Sequence, residues 1–188
     1  MRPIVAIVGR PNVGKSTLFN RLIGRRQAIV DATAGLTRDR LYGVADWRGR
    51  ELTVVDTAGL ELGGQEDSRA AIELQTKAAI EEAHAIVLLL DVRQGLTPVD
   101  RDIAQMLRRS GRAVVVAANK ADSPGEEHFR HEILELGFQE PFLISAQHGL
   151  GVGDLLDGVL ELLPPAEEEA ESEEAAARLA IMGRPNVG

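Results

Sequence analysis

The chain has 188 residues, 44% of them apolar and 3% aromatic, with no cysteine and a formal net charge of −8 at pH 7. That suffices for one α/β domain with an aliphatic core plus a tail. It excludes disulfides and cysteine-rich zinc sites, fits a reducing cytoplasm, and argues against the aromatic stacking platforms of RNA and single-strand binders.

Ile4 to Val8 is a continuous apolar, β-branched run, the pattern of a buried parallel strand. Gly9-Arg10-Pro11-Asn12-Val13-Gly14-Lys15-Ser16 follows and fits G-x-x-x-x-G-K-[ST]. From Thr17 onward, Leu18, Phe19 and Leu22 fall on one helical face. Strand, glycine loop and helix in this order predict a loop that wraps nucleotide phosphates. Gly9 and Gly14 let the backbone approach the phosphates with no Cβ in the way. The N–H groups of the loop and of the helix N-terminus point at negative charge. The nucleotide-contacting set expected here is Gly9, Asn12, Val13, Gly14, Lys15, Ser16 and Thr17. Lys15 supplies a point charge to the β- and γ-phosphates, and the Ser16 hydroxyl ligates Mg²⁺.

Gly24 ends the helical pattern, and Asp31 to Arg40 shows neither stripe nor alternation, so it reads as an exposed functional loop. Leu41 to Trp47 and Glu51 to Asp56 are strands joined by a tight turn at Arg48-Gly49-Arg50, hence an antiparallel hairpin. Asp56-Thr57-Ala58-Gly59 stands at the carboxyl end of the returning strand, where open α/β sheets gather ligands. Asp56, 40 residues after Ser16, suits a second Mg²⁺-orienting carboxylate, and the Gly59 N–H suits the γ-phosphate. Thr57 and Ala58 complete that nucleotide-binding turn.

Leu60 to Ser68 is polar and carries Gly63-Gly64. Ala70 to Ala83 is a predicted helix with Ile72, Leu74 and Ile80 partly buried, and Ile86 to Asp91 a central strand. Thr97-Pro98 opens the next helix at its cap and first turn, with Ile103, Met106 and Leu107 inward and Gly111 at its end. Ala113 to Ala118 is another buried strand, running into Asn119-Lys120-Ala121-Asp122. This tetrapeptide points to guanine. The Asp122 carboxylate can accept from N1–H and the 2-amino group, a donor pair that adenine lacks. Asn119 can hold N7 and the neighbouring loop, and the Lys120 stem can lie along the base plane.

A helix is expected from Pro124 towards Leu136-Gly137, then a last strand at Phe142-Leu143-Ile144. Ser145-Ala146 stands at the end of that strand, where the Ala146 N–H can meet guanine O6. Val152, Leu155, Leu156, Val159 and Leu160 form a closing helical stripe. The four histidines, His84, His128, His131 and His148, show no metal or triad spacing and read as structural or exposed.

The domain expected over 1–163 is followed by an acidic linker over 164–177. Its six Glu against Arg178 and Arg184 hold half of the net charge, so the domain is mildly acidic and ill suited to direct nucleic-acid binding. Residues 178–188 restart the chain: Gly9 to Gly14 returns unchanged as Gly183 to Gly188. A repeat at that distance indicates a duplicated domain, here only begun. No apolar run approaches the length of a membrane span, and the first residues lack a signal-peptide pattern.

In this order the motifs resemble a translation-factor-type GTPase. The phosphate loop with Pro11-Asn12, the loop ending Thr37-Arg38-Asp39, Asp56 to Leu60, Ser145 to Gly149 and the restart at Gly183 together resemble the Der (EngA) family, bacterial GTPases with tandem G domains. Without the restart, relatives such as Era and MnmE fit as well. The resemblance implies a P-loop NTPase G domain: a six-stranded, mostly parallel α/β sheet with one antiparallel strand and helices on both faces. It implies GTP and GDP as ligands with Mg²⁺, and Thr37 as the switch threonine that meets Mg²⁺ and the γ-phosphate. It implies potassium at Asn12, the ion doing the work of an arginine finger; the plainer reading of Asn12 is a loop residue in an unusual backbone angle. The family usually carries Pro where this chain has Ala34. Leu60 stands where Ras-like proteins place the Gln that orients the attacking water, and its side chain has no polar atom for that task. The implied partners are the large ribosomal subunit, for the whole protein, and the second G domain in cis.

Three functions compete on the sequence. One is a GTP-hydrolysing switch, with loops 31–40 and 60–68 ordering around the γ-phosphate. The second is a nucleotide-sensing docking module with negligible turnover of its own, an option that Leu60 keeps open. The third, a metabolic P-loop kinase, is opposed by the guanine motif.

Overall fold

The structure is a computed structural model that describes residues 2–24, 41–57, 69–122 and 127–164. Thr37, Ala58, Gly59, loops 31–40 and 60–68, the helix start at Pro124, the linker beyond Pro164 and the restart at 178–188 lie outside the described residues.

The described elements are β1 (Ile4–Val8), α1 (Lys15–Ile23), β2 (Leu41–Trp47), β3 (Arg50–Asp56), α2 (Arg69–Glu82), β4 (Ala85–Asp91), α3 (Pro98–Ser110), β5 (Ala113–Asn119), α4 (Glu127–Glu135), β6 (Phe142–Leu143) and α5 (Val152–Leu162). The strands form one six-stranded sheet in the order β2-β3-β1-β4-β5-β6. β2 and β3 pair antiparallel, from Leu41 opposite Asp56 to Trp47 opposite Arg50, and every other pairing is parallel. The six strands with one antiparallel member match the architecture expected from the motifs.

Strand alternation makes two cores. In β4, Ala85, Val87 and Leu89 face α1 and α5, where Leu18, Phe19, Ile23, Leu155 and Val159 pack. Ile86, Leu88 and Leu90 face α2, α3 and α4, meeting Ile72, Ile103, Leu107 and Ile133. Both sides of β4 are sealed, which is why its sequence is an unbroken apolar run rather than an alternating one. Burying each such side chain contributes about 1.5–3 kcal/mol.

Two expectations change. Leu74 is 53% exposed rather than partly buried, while Ile72, Gln75, Thr76 and Ala79 take the sheet-facing side of α2. Leu74 sits about 200° around the helix from Ile72, and Thr76 tolerates burial because its Oγ1 donates to the Ile72 carbonyl at 2.8 Å. The last strand stops at Leu143; Ile144 is buried and its N–H still donates to Ala118 O at 2.9 Å. Among the described residues no helix is long and apolar enough to cross a membrane.

Candidate functional site

Parallel pairing places the carboxyl ends of β1, β3, β4 and β5 on one edge of the sheet. Ile7 lies opposite Asp56, and Asp91 opposite Asn119. Three of the predicted motifs begin at the ends of β1, β3 and β5, so segments more than a hundred residues apart converge there.

The loop after β1 turns through Asn12 (φ 65°) and Gly14 (φ 102°) into α1. A Cβ on Gly14 would stand 2.4 Å from Asn119 Nδ2, and one on Gly9 2.4 Å from Leu89 O, so both positions demand glycine on contact grounds. Lys15 is buried, and its Nζ donates to Gly9 O at 2.8 Å and Arg10 O at 2.9 Å. The ammonium is thus held inside the curl of the loop, on the side where the carbonyls converge. Ser16 and Thr17 are exposed at the start of α1, with Asn12 exposed on the loop. The positive φ of Asn12 matches its plainer reading as a residue that tolerates this conformation.

Asp56, at the end of β3, has 0% exposure, and Thr57 Oγ1 donates across to Ile7 O at 2.8 Å. The Thr57 hydroxyl therefore ties β3 to β1 at the rim of the site.

The Asn119 segment is tied directly to the phosphate loop. Asn119 Nδ2 donates to Val13 O at 2.7 Å, and its Oδ1 accepts the Ala146 N–H at 2.9 Å. Lys120, with φ 67°, donates from Nζ to Asn12 O at 2.9 Å and to Asp91 Oδ2 at 2.6 Å. Asn119 thus bridges the phosphate loop and the Ser145–Ala146 segment. The Ala146 N–H, assigned above to guanine O6, is directed at Asn119 Oδ1. Ser145 is buried; its N–H donates to Leu150 O at 3.0 Å and its carbonyl accepts from Gly149 at 2.7 Å, which closes the 145–150 loop. Arg21 of α1 donates to Ala146 O and Gln147 O, fastening that loop from below.

Asp122 Oδ1 accepts from Arg93 Nη2 at 2.6 Å, and His148 Nε2 lies 3.8 Å from Oδ2. The Arg93 hydrogen bond, joined by the charges of Arg93 and His148, holds the Asp122 carboxyl below the usual carboxylate range. Asp122 is therefore ionised at neutral pH, the form that accepts two donors from a base.

Lys15, Asn119, Lys120, Ser145 and Ala146 are joined through backbone and side-chain contacts, with Asp56 on the same sheet edge. Five residues escaped the sequence reading: Arg10, Arg21, Asp91, Arg93 and Asp100. Asp91 carried a signal, an acidic residue closing a buried strand at the ligand edge, and so did Asp100, three residues after the Thr97 cap; the arginines had none, because their partners are remote in the chain. Among the described residues no group of three or more His, Asp or Glu could hold a metal.

Fold and site together define a P-loop GTPase domain. The profile of the 50S ribosome-binding GTPases matches residues 4–120, and the chain belongs to that family. It is 51% identical over 189 residues to GTPase Der of Moorella thermoacetica, covering 100% of this chain and 42% of that protein. The chain thus spans about two fifths of the length of that curated relative. Aquifex aeolicus Era bound to GDP and tetrafluoroaluminate superposes with a TM-score of 0.69 at 31% identity, covering 89% of this chain and 59% of that one. Era in complex with MgGDPNP and nucleotides 1506–1542 of 16S ribosomal RNA gives 0.67 at 30% identity, covering 88% and 58%.

Proposed function

We propose that residues 1–163 form a Mg²⁺-dependent GTP-hydrolysing switch domain, the first of two G domains in a protein of large ribosomal subunit assembly in the cytoplasm. One observation carries the GTP reading: Asn119 bonds to both Val13 O and the Ala146 N–H, so a base reader and a phosphate loop share one frame. A guanine nucleotide spans that frame with its base on Asp122 and its phosphates over Gly9 to Thr17.

The reaction is in-line attack of water on the γ-phosphorus, with GDP leaving and phosphate released; the protein supplies position and charge. Lys15 neutralises the β- and γ-oxygens, the loop N–H groups from Asn12 to Lys15 hold them, and Gly59 and Thr37 complete the γ-phosphate contacts. Mg²⁺ suits the donor set: the exposed Ser16 hydroxyl and the buried Asp56 carboxylate at the same sheet edge are hard oxygens, and Thr37 adds a third. When bound, the ion draws charge from the β- and γ-oxygens. Asn12, exposed beside the phosphates, is the proposed potassium ligand.

Base choice is tested by competition of GTP, ATP and XTP for the wild type and Asp122→Asn. The wild type selects GTP, and the variant, whose amide can donate to the xanthine 2-oxygen, shifts towards XTP. A wild type that binds ATP as tightly as GTP overturns the reading. Turnover in potassium against sodium at equal ionic strength tests Asn12: the wild type is faster in potassium and Asn12→Ala shows no difference. Leu60 supports a second reading, a nucleotide-sensing module with negligible turnover, which a single-turnover assay separates from the first.

The large ribosomal subunit and a second G domain in cis are the proposed partners. The family description and the returning hexapeptide at Gly183 support them.

A further inference from the structure

Arg10 occupies a position of the phosphate loop that the motif leaves open. Its side chain is only 11% exposed, and Nε donates at 3.1 Å to Oδ2 of Asp100, a carboxylate 1% exposed. That oxygen also accepts the Thr97 N–H at 2.9 Å and the Thr97 hydroxyl at 2.8 Å, within the capping box that opens α3. The Arg10 carbonyl meanwhile accepts from Lys15 Nζ at 2.9 Å, beside Gly9 O at 2.8 Å. One residue joins α3 through its side chain and the phosphate-binding lysine through its backbone.

Fold stability does not account for this pair. Arg10 Nη2 and Asp100 Oδ1 are buried without a hydrogen-bond partner among the described residues. A buried ion pair with an unsatisfied atom at each end is a weak stabiliser and is often replaceable by apolar side chains at no loss. What the pair supplies is location: a guanidinium held under the loop fixes the carbonyl above it, and that carbonyl aims the ammonium.

We propose that Arg10 and Asp100 are positioning residues for Lys15, and that the N-terminus of α3 is thereby part of the frame of the nucleotide site. The inference rests on the GTPase reading above. The consequence is specific: loosening the pair weakens the grip on β- and γ-phosphates without removing any group that touches them.

The test uses the full-length protein. Arg10→Met alone strands a buried carboxylate and is prone to misfold. The double variant Arg10→Met/Asp100→Asn removes both charges and keeps an acceptor for Thr97. It is expected to melt close to the wild type and to show a GDP Kd and a GTP KM raised about tenfold, the scale of one lost charge-assisted contact. Kinetics are normalised to titrated nucleotide sites. A merely structural defect lowers the number of sites and leaves KM unchanged. Arg10→Lys, which keeps a charge opposite Asp100, recovers part of the loss. Wild-type Kd and KM in the double variant overturn the proposal; if that variant does not fold, an unchanged KM in Arg10→Lys does so. A wild type that binds neither GDP nor GTP overturns the underlying GTPase reading, a result distinguishable before any variant is made.

Discussion

Asn119 holds the two halves of the site with one amide, which makes it more than a base contact. Asn119→Ala removes the donor to Val13 O and strands the buried Ala146 N–H. Each stranded group costs about 1–3 kcal/mol. The variant is expected to lose about 2–4 kcal/mol in urea denaturation, and to lose nucleotide affinity with it. Unchanged stability would show that the clamp relaxes without penalty. Asp122 behaves differently, because its environment is electrostatic. Its folded-state pKa is depressed, first by the Arg93 hydrogen bond. Its contribution is therefore complete above the unfolded value of about 3.9 and is lost as pH falls through the lower folded value. Arg93→Ala moves the Asp122 titration upward, towards that ordinary value. An NMR titration of the carboxyl carbon measures this; a midpoint that stays put would discount Arg93 as the cause.

At the scale of elements, pattern reading succeeds where one face decides and fails where two faces compete. α3 carries a Thr97–Asp100 capping box, Pro98 in its first turn and inward Ile103 and Leu107, while Met106, expected inward as well, is only half-buried. Each of these signals is local, and each agrees with the others. α2 offers Ile72, Leu74 and Ile80 as three apolar candidates over a helix that buries Gln75 and Thr76 instead. Placement of Leu74 then follows from where the sheet lies, not from its hydrophobicity. Leu74→Gln is expected to change stability by no more than about 0.5 kcal/mol, against about 2–5 kcal/mol for Leu107→Ala in the α3 core. Equal losses in chemical denaturation would mean that the exposed face of α2 is covered in solution. The β2–β3 hairpin shows the same division. Its alternation and its Arg48-Gly49 turn are readable, with φ of 51° and 78° there. The anchoring of its tip is not: Trp47 Nε1 donates to Asp157 Oδ1 at 2.7 Å, and Arg48 adds a second contact to the same carboxylate at 2.6 Å.

For the whole molecule, one sheet edge collects what the chain disperses. The contiguous signals survive translation into three dimensions: Gly9 to Gly14 as a loop between strand and helix with Lys15 and Ser16 opening the helix, Asn119 to Asp122 at a strand end, and apolar runs as buried strands. They survive because backbone conformation, glycine placement and side-chain period are properties of neighbouring residues, and neighbours stay neighbours on folding. Gly14 is the instructive intermediate. Its glycine is legible in the motif, but the reason for it includes an amide 105 residues away, since Asn119 Nδ2 fills the space a Cβ would take. The pairings of Arg10 with Asp100, Arg21 with the 146–147 carbonyls, Arg93 with Asp122 and Trp47 with Asp157 belong to the other class. Among 21 basic and 29 acidic residues, nothing in the linear order says which cation meets which anion. Packing two helical layers against one sheet selects the partners, because an ion pair is chosen by the few ångströms between its atoms and not by the number of peptide bonds separating them.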